Sequence, residues 1–367
     1  MKIILTGGGT GGHVLPAVAI AEKIYEKYPN AQILFIGREG GTENRSVTDA
    51  KIPLKVLKVM GIKRSLSPSN IKSVYLALSA VGKAKRIIRE FKPDAVVGTG
   101  GYVCWPVLKA AHRLGIKTYI HESNVSPGLV TRLLSSSCDA VLLNHRETQK
   151  YLDEGVKRCV VGNPLRKSFL NLSREKARHT LGIEKNDIFI VSFGGSGGAK
   201  ELNDAALNLM RIYSSKTAGI RHLHSTGQKY YDALPKEMRT NKSGGTKIVP
   251  YIKNMPEVLL ASDIVICRAG AMTLSEIAAA SACAILIPSP NVTDNHQYKN
   301  AELLSRDGAA ILLKESDLTN ESLYECVHSL VDNEKERKKM SKCIQRFANL
   351  HSAERIVEIL TATFKKQ

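Results

Sequence analysis

The sequence is poor in aromatic side chains, in ordered cysteine spacings and in long apolar runs. Aromatic residues make up 5% of the 367 residues, and there is one tryptophan. The seven cysteines are scattered and no two are spaced as C-x-x-C, which argues against a disulfide framework and a structural zinc site and favours a reducing compartment. The longest uncharged run, 277–293, contains two prolines, and no stretch offers the roughly 18 apolar residues that span a bilayer. The apolar start, Met1 to Thr6, is followed at once by glycines, so we expect no secretory signal.

Acidic residues are also scarce, and the charge is unevenly distributed. The net charge is +19, from 53 basic and 34 acidic residues. Between Lys51 and Lys92 there are eleven basic residues and one acid, Glu90, so this segment predicts an anionic partner surface. A basic nucleic-acid-binding protein is disfavoured because aromatic residues are few and no recognised binding motif is present. We therefore expect no nucleic-acid partner.

Strands and helices alternate along the chain in two series. Short apolar strands are predicted at 2–6, 32–36, 95–97, 117–120 and 140–143, and again at 188–193, 264–267 and 284–287. Gly162-Asn163-Pro164 interrupts the alternation and predicts a hinge. This pattern is typical of α/β structure with parallel sheets. We predict two Rossmann-like, doubly wound lobes facing across a cleft, 1–163 and 164–348, with a C-terminal helical segment, 349–367, packing back on the first lobe.

A glycine-rich turn follows the first predicted strand. Gly7, Gly9 and Gly12 satisfy G-x-G-x-x-G between a strand and a helix, where backbone N–H groups and the helix N-terminus favour a diphosphate. A NAD(P)-dependent oxidoreductase remains an alternative, because Arg38-Glu39 supplies an acid near the end of the second strand. Later glycine turns at 98–101 and 194–198 weaken that alternative. A P-loop at 194–200 is excluded, since Ala199 and Glu201 replace required residues.

A second strand-to-helix turn, at 267–276, combines groups suited to a nucleotide diphosphate. Arg268 is a cation beside the turn, Met272 and Thr273 supply first-turn N–H groups, and Glu276 follows about one turn later. This set could neutralise a leaving diphosphate while the carboxylate accepts two ribose hydroxyls. The simpler alternative is a helix whose N-terminal dipole is favoured by Glu276.

Several motifs together resemble one enzyme family. In chain order they are Gly-Gly-Thr-Gly-Gly-His (8–13), Gly-Thr-Gly-Gly-Tyr (98–102), His-Glu-Ser-Asn (121–124), Gly-Asn-Pro-Leu-Arg (162–166), Gly-Gly-Ser (194–196), Arg-Ala-Gly-Ala-Met-Thr-Leu-Ser-Glu (268–276) and Asp-Asn-His-Gln-Tyr (294–298). They resemble the MurG family, glycosyltransferases of GT-B fold. The resemblance implies transfer of GlcNAc from UDP-GlcNAc to the 4-hydroxyl of undecaprenyl-diphosphate-linked MurNAc-pentapeptide. It also implies a peripheral protein at the cytoplasmic face of the bacterial cell membrane.

The resemblance implies two sets of binding residues. The acceptor set is Gly9, Gly100, Gly101 and Tyr102. The donor set is Thr10, Gly11, Gly12, Asn124, Arg166, Ser196, the backbone of Ile252, Arg268, Ala271, Met272, Thr273, Glu276 and Gln297. The chain departs from the family at Gly197 and His296, where glutamines are usual.

Inverting transfer needs a base for the attacking hydroxyl and positive potential for the leaving diphosphate. We favour His13 as the base, with His121 and Glu122 as alternatives. No D-x-D-like metal motif follows a strand, so we expect no obligatory cofactor, with a divalent cation as a stimulant at most. His222 and His224 share one face of a predicted strand; without a third ligand in sight, we expect them to be structural.

A lipid-linked acceptor requires the enzyme to reach a bilayer. Ile71, Val74, Tyr75, Leu78 and Val81 fall on one predicted helical face, and Lys72, Lys83, Lys85 and Arg86 surround it. Taken alone, the pattern also fits a core helix with a solvated basic face. The local charge and the acceptor's chemistry favour a patch that binds an anionic membrane surface.

Overall fold

A computed structural model describes residues 1–41, 44–61, 68–216, 219–240 and 245–362. They form two compact units, Met1–Lys167 with Asn349–Gln367, and Ser168–Ala348, and each unit is described by itself. Lys63 and Arg64 of the basic segment, and residues 363–367 of the C-terminal segment, lie outside the described residues. Across the described ranges, no helix is long and apolar enough to span a membrane.

Thirteen strands and sixteen α-helices are assigned within those ranges. The strands are β1 (Lys2–Thr6), β2 (Gln32–Arg38), β3 (Leu54–Leu57), β4 (Ala95–Gly98), β5 (Lys117–Glu122), β6 (Ala140–Leu143), β7 (Arg158–Val160), β8 (Ile188–Phe193), β9 (Ile220–Ser225), β10 (Thr246–Val249), β11 (Ile264–Cys267), β12 (Cys283–Leu286) and β13 (Ile311–Leu312). The helices are α1 (Gly11–Lys27), α2 (Asn44–Asp49), α3 (Pro68–Phe91), α4 (Cys104–Arg113), α5 (Leu129–Leu134), α6 (Lys167–Leu170), α7 (Arg174–Leu181), α8 (Lys200–Lys216), α9 (Gln228–Ala233), α10 (Lys236–Thr240), α11 (Met255–Ala261), α12 (Ala271–Ala280), α13 (His296–Arg306), α14 (Asn320–Val331), α15 (Glu334–Gln345) and α16 (Ser352–Ala362), with 3₁₀ segments at Arg146–Tyr151, Thr293–Asn295 and Glu315–Asp317.

The first unit is a seven-stranded parallel sheet of order β3-β2-β1-β4-β5-β6-β7. Its central strands β1, β4 and β6 are nearly continuous apolar runs, as expected for strands covered on both faces. One face packs on α3, α4 and α5 through a core that includes Ile88 and Val107. The other packs on α1 and α16, where Ile356 and Val357 are fully buried. The terminal helix α16 is thus part of this unit's core.

The second unit repeats the same strand order in a six-stranded parallel sheet, β10-β9-β8-β11-β12-β13. In both sheets the order reverses beside the first strand of the unit, between β1 and β4 and between β8 and β11. Ligands of doubly wound folds bind outside the carboxyl ends of the strands at such a switch point. The glycine turns at 7–12 and 98–101 flank the first switch point, and the turns at 194–198 and 268–270 flank the second.

Candidate active-site residues of the two units

The two glycine turns of the first unit interlock at the carboxyl ends of β1 and β4. The Gly8 amide donates to the Gly100 carbonyl at 3.2 Å. Gly101 has φ of +85°, and a Cβ there would overlap the Gly8 carbonyl oxygen. A Cβ on Gly100, with φ of +115°, would overlap the His13 ring. Side chains are therefore excluded at both positions, because backbone and ring occupy the space that they would need.

His13 lies in the first turn of α1 with its ring held by these turns. Its Nδ1 is 3.0 Å from the Gly8 carbonyl oxygen and 3.3 Å from the Thr10 hydroxyl. A carbonyl only accepts, so the neutral ring carries its hydrogen on Nδ1 and its basic lone pair on Nε2. The Thr99 hydroxyl donates to the His13 carbonyl at 2.6 Å, which fixes the start of α1. The half-buried ring thus has the tautomer that a base acting through Nε2 requires.

His121, an alternative base, lies inside the first unit. Its side chain is 1% exposed, and its Nε2 is 2.9 Å from the Gly162 carbonyl oxygen. That carbonyl requires a hydrogen on Nε2, and burial lowers the pKa of the ring. The geometry favours a role for His121 in holding the chain at Gly162.

Glu122, the other alternative, organises the loop after β5. Its Oε1 accepts hydrogen bonds from the backbone and side-chain nitrogens of Asn124, both at 3.0 Å. Its Oε2 accepts from the Gly128 amide at 2.9 Å and from the Thr131 hydroxyl at 2.7 Å. All four hydrogen bonds come from residues of this loop and the helix that follows it, so the geometry favours a role for Glu122 in positioning Asn124.

The predicted membrane face of α3 is exposed. Ile71 is 76% exposed, Tyr75 70%, Leu78 59% and Val74 47%, so the interpretation of this face as core is wrong for these four residues. Val81 is the exception: it is 6% exposed and packs in the core, and its predicted place on the face was wrong.

Helix α3 also carries basic side chains, and Tyr102 lies close to the segment that precedes this helix. Lys72, Lys83 and Arg86 are exposed and Lys85 is half-buried on the same helix. Tyr102, from the second glycine turn, is 40% exposed, and its ring lies where a Cβ on Gly61 would be. Tyr102, a predicted acceptor residue, therefore packs against Gly61 in the chain segment that precedes α3.

In the second unit, the glycine turn after β8 packs against the loop after β9. Gly198 and Gly227 have φ of +73° and +83°, and a Cβ on Gly198 would overlap the Thr226 carbonyl oxygen. Ser196 and Gly197 are exposed. A Cβ on Gly197 would meet nothing within 4 Å, so sterics do not explain why glycine replaces the family's usual glutamine there.

Helix α12 begins at the second switch point. Gly270 is its N-terminal cap residue and has no side chain with which to cap the helix. Ala271, Met272 and Glu276 are buried and Thr273 is half-buried. Glu276 lies in the second turn, beyond the first-turn N–H groups that favour anions at a helix N-terminus. These residues thus lie together in the first two turns of one helix, and their role in holding a diphosphate stays a prediction.

Arg268 is oriented by contacts that sequence reasoning missed. Its Nη1 donates to the Ile287 carbonyl at 3.1 Å, and its Nη2 is paired with Glu315 Oε2. The two side chains are 12% and 15% exposed. The predicted cation is therefore neutralised by a carboxylate 47 residues away, and no local sequence signal points to that partner.

The remaining predicted donor residues, and the predicted acceptor residue Gly9, lie on several separate loops and helices. Gln297, at the start of α13, accepts from the Ser289 amide through Oε1 at 2.9 Å, so its Nε2 is the end that would donate to a ligand. His296 Nδ1 donates to the Thr293 carbonyl at 2.7 Å. Ile252 is buried. Arg166 is half-buried and belongs to the first unit, where Gly9, Thr10 and Gly11 are exposed and Gly12 half-buried.

His222 and His224 form a buried cluster with a serine on the neighbouring strand. Ser192 Oγ lies 2.7 Å from His222 Nε2 and 2.8 Å from His224 Nδ1. Within the described ranges, no group of histidine, cysteine, aspartate and glutamate residues could hold a metal ion. The cluster supports the prediction that these histidines are structural, and Ser192 is the member that the sequence did not indicate.

Comparison with known proteins assigns the chain to a family. The glycosyltransferase family 28 N-terminal domain matches residues 3–143, and the family's C-terminal domain matches residues 189–356. The chain belongs to glycosyltransferase family 28. A family 28 relative from Acetivibrio thermocellus, a UDP-N-acetylglucosamine--N-acetylmuramyl-(pentapeptide) pyrophosphoryl-undecaprenol N-acetylglucosamine transferase, is 40% identical over 367 residues, which are 100% of this chain and 99% of that protein. A protein of the same name from Thermoanaerobacter sp. is 41% identical over 363 residues, 98% and 99% of the two chains.

Solved structures agree with the family 28 assignment. The crystal structure of Acinetobacter baumannii MurG superposes with a TM-score of 0.76 at 26% identity and covers 98% of this chain and 99% of that one. A UDP-GlcNAc 2-epimerase from Neisseria meningitidis, solved with UDP-GlcNAc bound, has a TM-score of 0.71 at 13% identity over 99% and 100% of the two chains, which shows a shared fold alone. The resemblance to the MurG family and the prediction of two Rossmann-like α/β lobes of GT-B type are confirmed. The alternative of a NAD(P)-dependent oxidoreductase has no support.

Proposed function

We propose that this chain transfers GlcNAc from UDP-GlcNAc to the 4-hydroxyl of undecaprenyl-diphosphate-linked MurNAc-pentapeptide, with inversion at the anomeric carbon. The observation that carries the proposal is the full-length identity of about 40% to transferases named for this reaction. The glycine turns at both switch points support it, because each is built to receive phosphate oxygens.

The second unit is the proposed donor-binding unit. The N-terminal N–H groups of α12 stabilise the diphosphate as it leaves, since they offer positive potential that needs no rearrangement during the reaction. Glu276 accepts the ribose hydroxyls, the backbone of Ile252 contacts uracil, and Ser196 and Gln297 contact the sugar side of the donor. The chemistry requires no resident metal, and a divalent cation acts as a stimulant only.

In the first unit, His13 is the proposed base. The muramyl 4-oxygen forms a bond to the anomeric carbon while the bond from that carbon to the diphosphate oxygen breaks. The hydroxyl proton passes to His13 Nε2, and UDP leaves with the bonding electron pair. Gly9, Gly100 and Gly101 offer backbone to the acceptor's diphosphate, and Tyr102 lies beside them. His121 and Glu122 position the surrounding loops.

A transfer assay tests this function. Labelled GlcNAc is supplied as UDP-GlcNAc with a lipid-linked muramyl-peptide analogue, and the native chain is compared with His13→Ala and Glu276→Ala. We expect product from the native chain and little from either variant. Thermal-shift measurements with UDP, NAD(P) and an oligonucleotide provide an independent check, and stabilisation by NAD(P) but not by UDP would overturn the proposal.

The exposed face of α3 is the proposed contact with the cytoplasmic face of the cell membrane. Its apolar side chains insert among lipid chains, and each nearby basic residue adds about 1 kcal/mol of attraction to anionic headgroups. The residues that carry this charge are Lys72, Lys83, Lys85 and Arg86.

Sedimentation with phosphatidylglycerol vesicles tests the contact. Changing Lys72, Lys83, Lys85 and Arg86 of α3 to Glu is expected to abolish sedimentation. The matched control makes the same change at four exposed lysines of α15, namely Lys335, Lys338, Lys339 and Lys342, and is expected to sediment like the native chain. Equal loss in both variants would point to net charge alone, and unchanged binding of the α3 variant would exclude the α3 contact.

A further inference from the structure

The guanidinium of Arg268 points away from the place where a donor diphosphate is expected. Arg268 directly follows β11, which borders the switch point with β8. The carbonyl of Ile287 and the carboxylate of Glu315, which it contacts, lie on the other side, since Ile287 follows β12 and Glu315 comes soon after β13. The side chain therefore crosses the carboxyl ends of β12 and β13 towards the edge of the sheet.

The pair with Glu315 also cancels the charge that a diphosphate would attract. Both side chains are largely buried, so solvent screens their interaction weakly. A guanidinium paired with a carboxylate presents little net charge to a third group. A donor diphosphate carries about two negative charges and offers the same geometry of oxygen acceptors as the carboxylate does. The diphosphate and Glu315 are thus chemically equivalent partners for Arg268.

We propose that Glu315 is a positioning residue that competes with the donor's diphosphate for Arg268. In the absence of donor, Glu315 holds the guanidinium near the carboxyl ends of β12 and β13. A nucleoside diphosphate bound at the N-terminus of α12 draws the guanidinium away from Glu315. This inference rests on the proposed function, because it assumes a diphosphate donor in the second unit. It assigns a role to Glu315, which lies outside the motifs that carry the resemblance to the family.

The competition has a measurable consequence. Removing the charge of Glu315 lowers the cost of releasing Arg268, so ligands that carry a diphosphate bind more tightly. Ligands that lack the diphosphate make no use of Arg268 and bind as before. A carboxylate that merely braced the fold would affect both kinds of ligand alike, or would weaken the binding of both.

Calorimetric titration of the full chain with UDP and with uridine tests the proposal. Glu315→Gln keeps the side chain's shape and is expected to lower the Kd of UDP about tenfold, which corresponds to about 1.4 kcal/mol, with the Kd of uridine within about twofold of native. Glu315→Ala is expected to show the same selectivity. Asp317→Asn removes a charge from an exposed position of the same 3₁₀ segment and is expected to bind both ligands like the native chain.

Two outcomes decide against the proposal. If Glu315→Gln binds UDP no more tightly than the native chain does, Glu315 does not compete for Arg268. If the gain persists in an Arg268→Ala background, it does not act through Arg268. A native chain that binds neither UDP nor UDP-GlcNAc would instead overturn the proposed function itself, and this inference with it.

Discussion

The two buried histidines of the second unit predict that this unit loses stability in mild acid. His222 is 1% exposed and His224 is fully buried. Burial lowers the pKa of His222 to about 3, with a smaller contribution from the neighbouring His224, and lowers that of His224 to about 4. Both rings stay neutral in the folded protein at pH 5, whereas in the unfolded chain each takes up a proton near pH 6.5.

The size of the effect follows from this difference in proton binding. Between pH 6.5 and the lowered pKa values, the unfolded state binds more protons than the folded state, so stability falls as the pH falls. Each pH unit costs about 1.4 kcal/mol per ring. From pH 7.5 to pH 5.0 the loss is therefore about 2 kcal/mol per ring, or about 4 kcal/mol for the pair. The full stabilisation is present above about pH 6.5.

The prediction requires a probe confined to the second unit. The single tryptophan, Trp105, lies in α4 of the first unit, so its fluorescence does not report on β9. Hydrogen exchange of peptides that cover β8 and β9, measured in a urea series at both pH values, reports the stability of the second unit directly. The matched variant carries His222→Gln and His224→Asn, because glutamine and asparagine place a nitrogen near the Nε2 and Nδ1 positions that Ser192 contacts. Once folding at pH 7.5 is established, we expect its loss on acidification to be smaller by about 4 kcal/mol; an equal loss in both proteins would refute the reasoning.

Three further predictions concern the candidate site. His13→Ala is expected to lower kcat by about 10² to 10⁴ while KM for UDP-GlcNAc changes little, as steady-state kinetics would show; an effect confined to KM would contradict its role as base. Glu276→Gln is expected to raise the Kd of UDP about tenfold without changing that of a 2′,3′-dideoxy analogue, since the carboxylate acts on the ribose hydroxyls; equal losses for both ligands would argue against that contact. Gly101→Ala is expected to destabilise the first unit by about 2 kcal/mol more than Gly115→Ala in urea unfolding followed by Trp105 fluorescence, because both glycines have positive φ but only Gly101 would clash; equal costs would show that the turns do not interlock as described.

The fold and the places of its glycine turns could be predicted from the sequence because the signals are local. A glycine run between a buried strand and a helix specifies its own geometry, and the doubly wound strand order then puts β1 beside β4 and β8 beside β11. The short edge strands β3, β7, β10 and β13 were not predicted. The pattern of β3 is mostly exposed and β13 has two residues, so neither carries the apolar run that marks a central strand.

The interpretation of α3 shows the limit of a helical pattern. Apolar residues at helical spacing predict a face, but not whether that face meets the core or solvent. Here the buried stripe includes Ser73, Val81, Ala84 and Ile88, and the larger apolar side chains of the first half of the helix lie outside. The local charge favoured a surface role, and the exposure of Ile71 and its neighbours agrees with that expectation.

The charge of the donor site depends on residues that are distant in sequence, and there the motif alone misleads. From the motif alone, Arg268 is predicted to be an unpaired cation beside a helix N-terminus, because the motif does not contain its partner Glu315. In the fold, β13 lies beside β12 and brings Glu315 within reach of the guanidinium. In a parallel sheet the residues that follow every strand lie at the same edge, the carboxyl edge. This topology makes the switch point predictable, and it also brings together side chains that are distant in sequence. The electrostatics of that edge are therefore set by pairs that topology assembles, and a description of the proposed donor site must include Glu315 together with the motif.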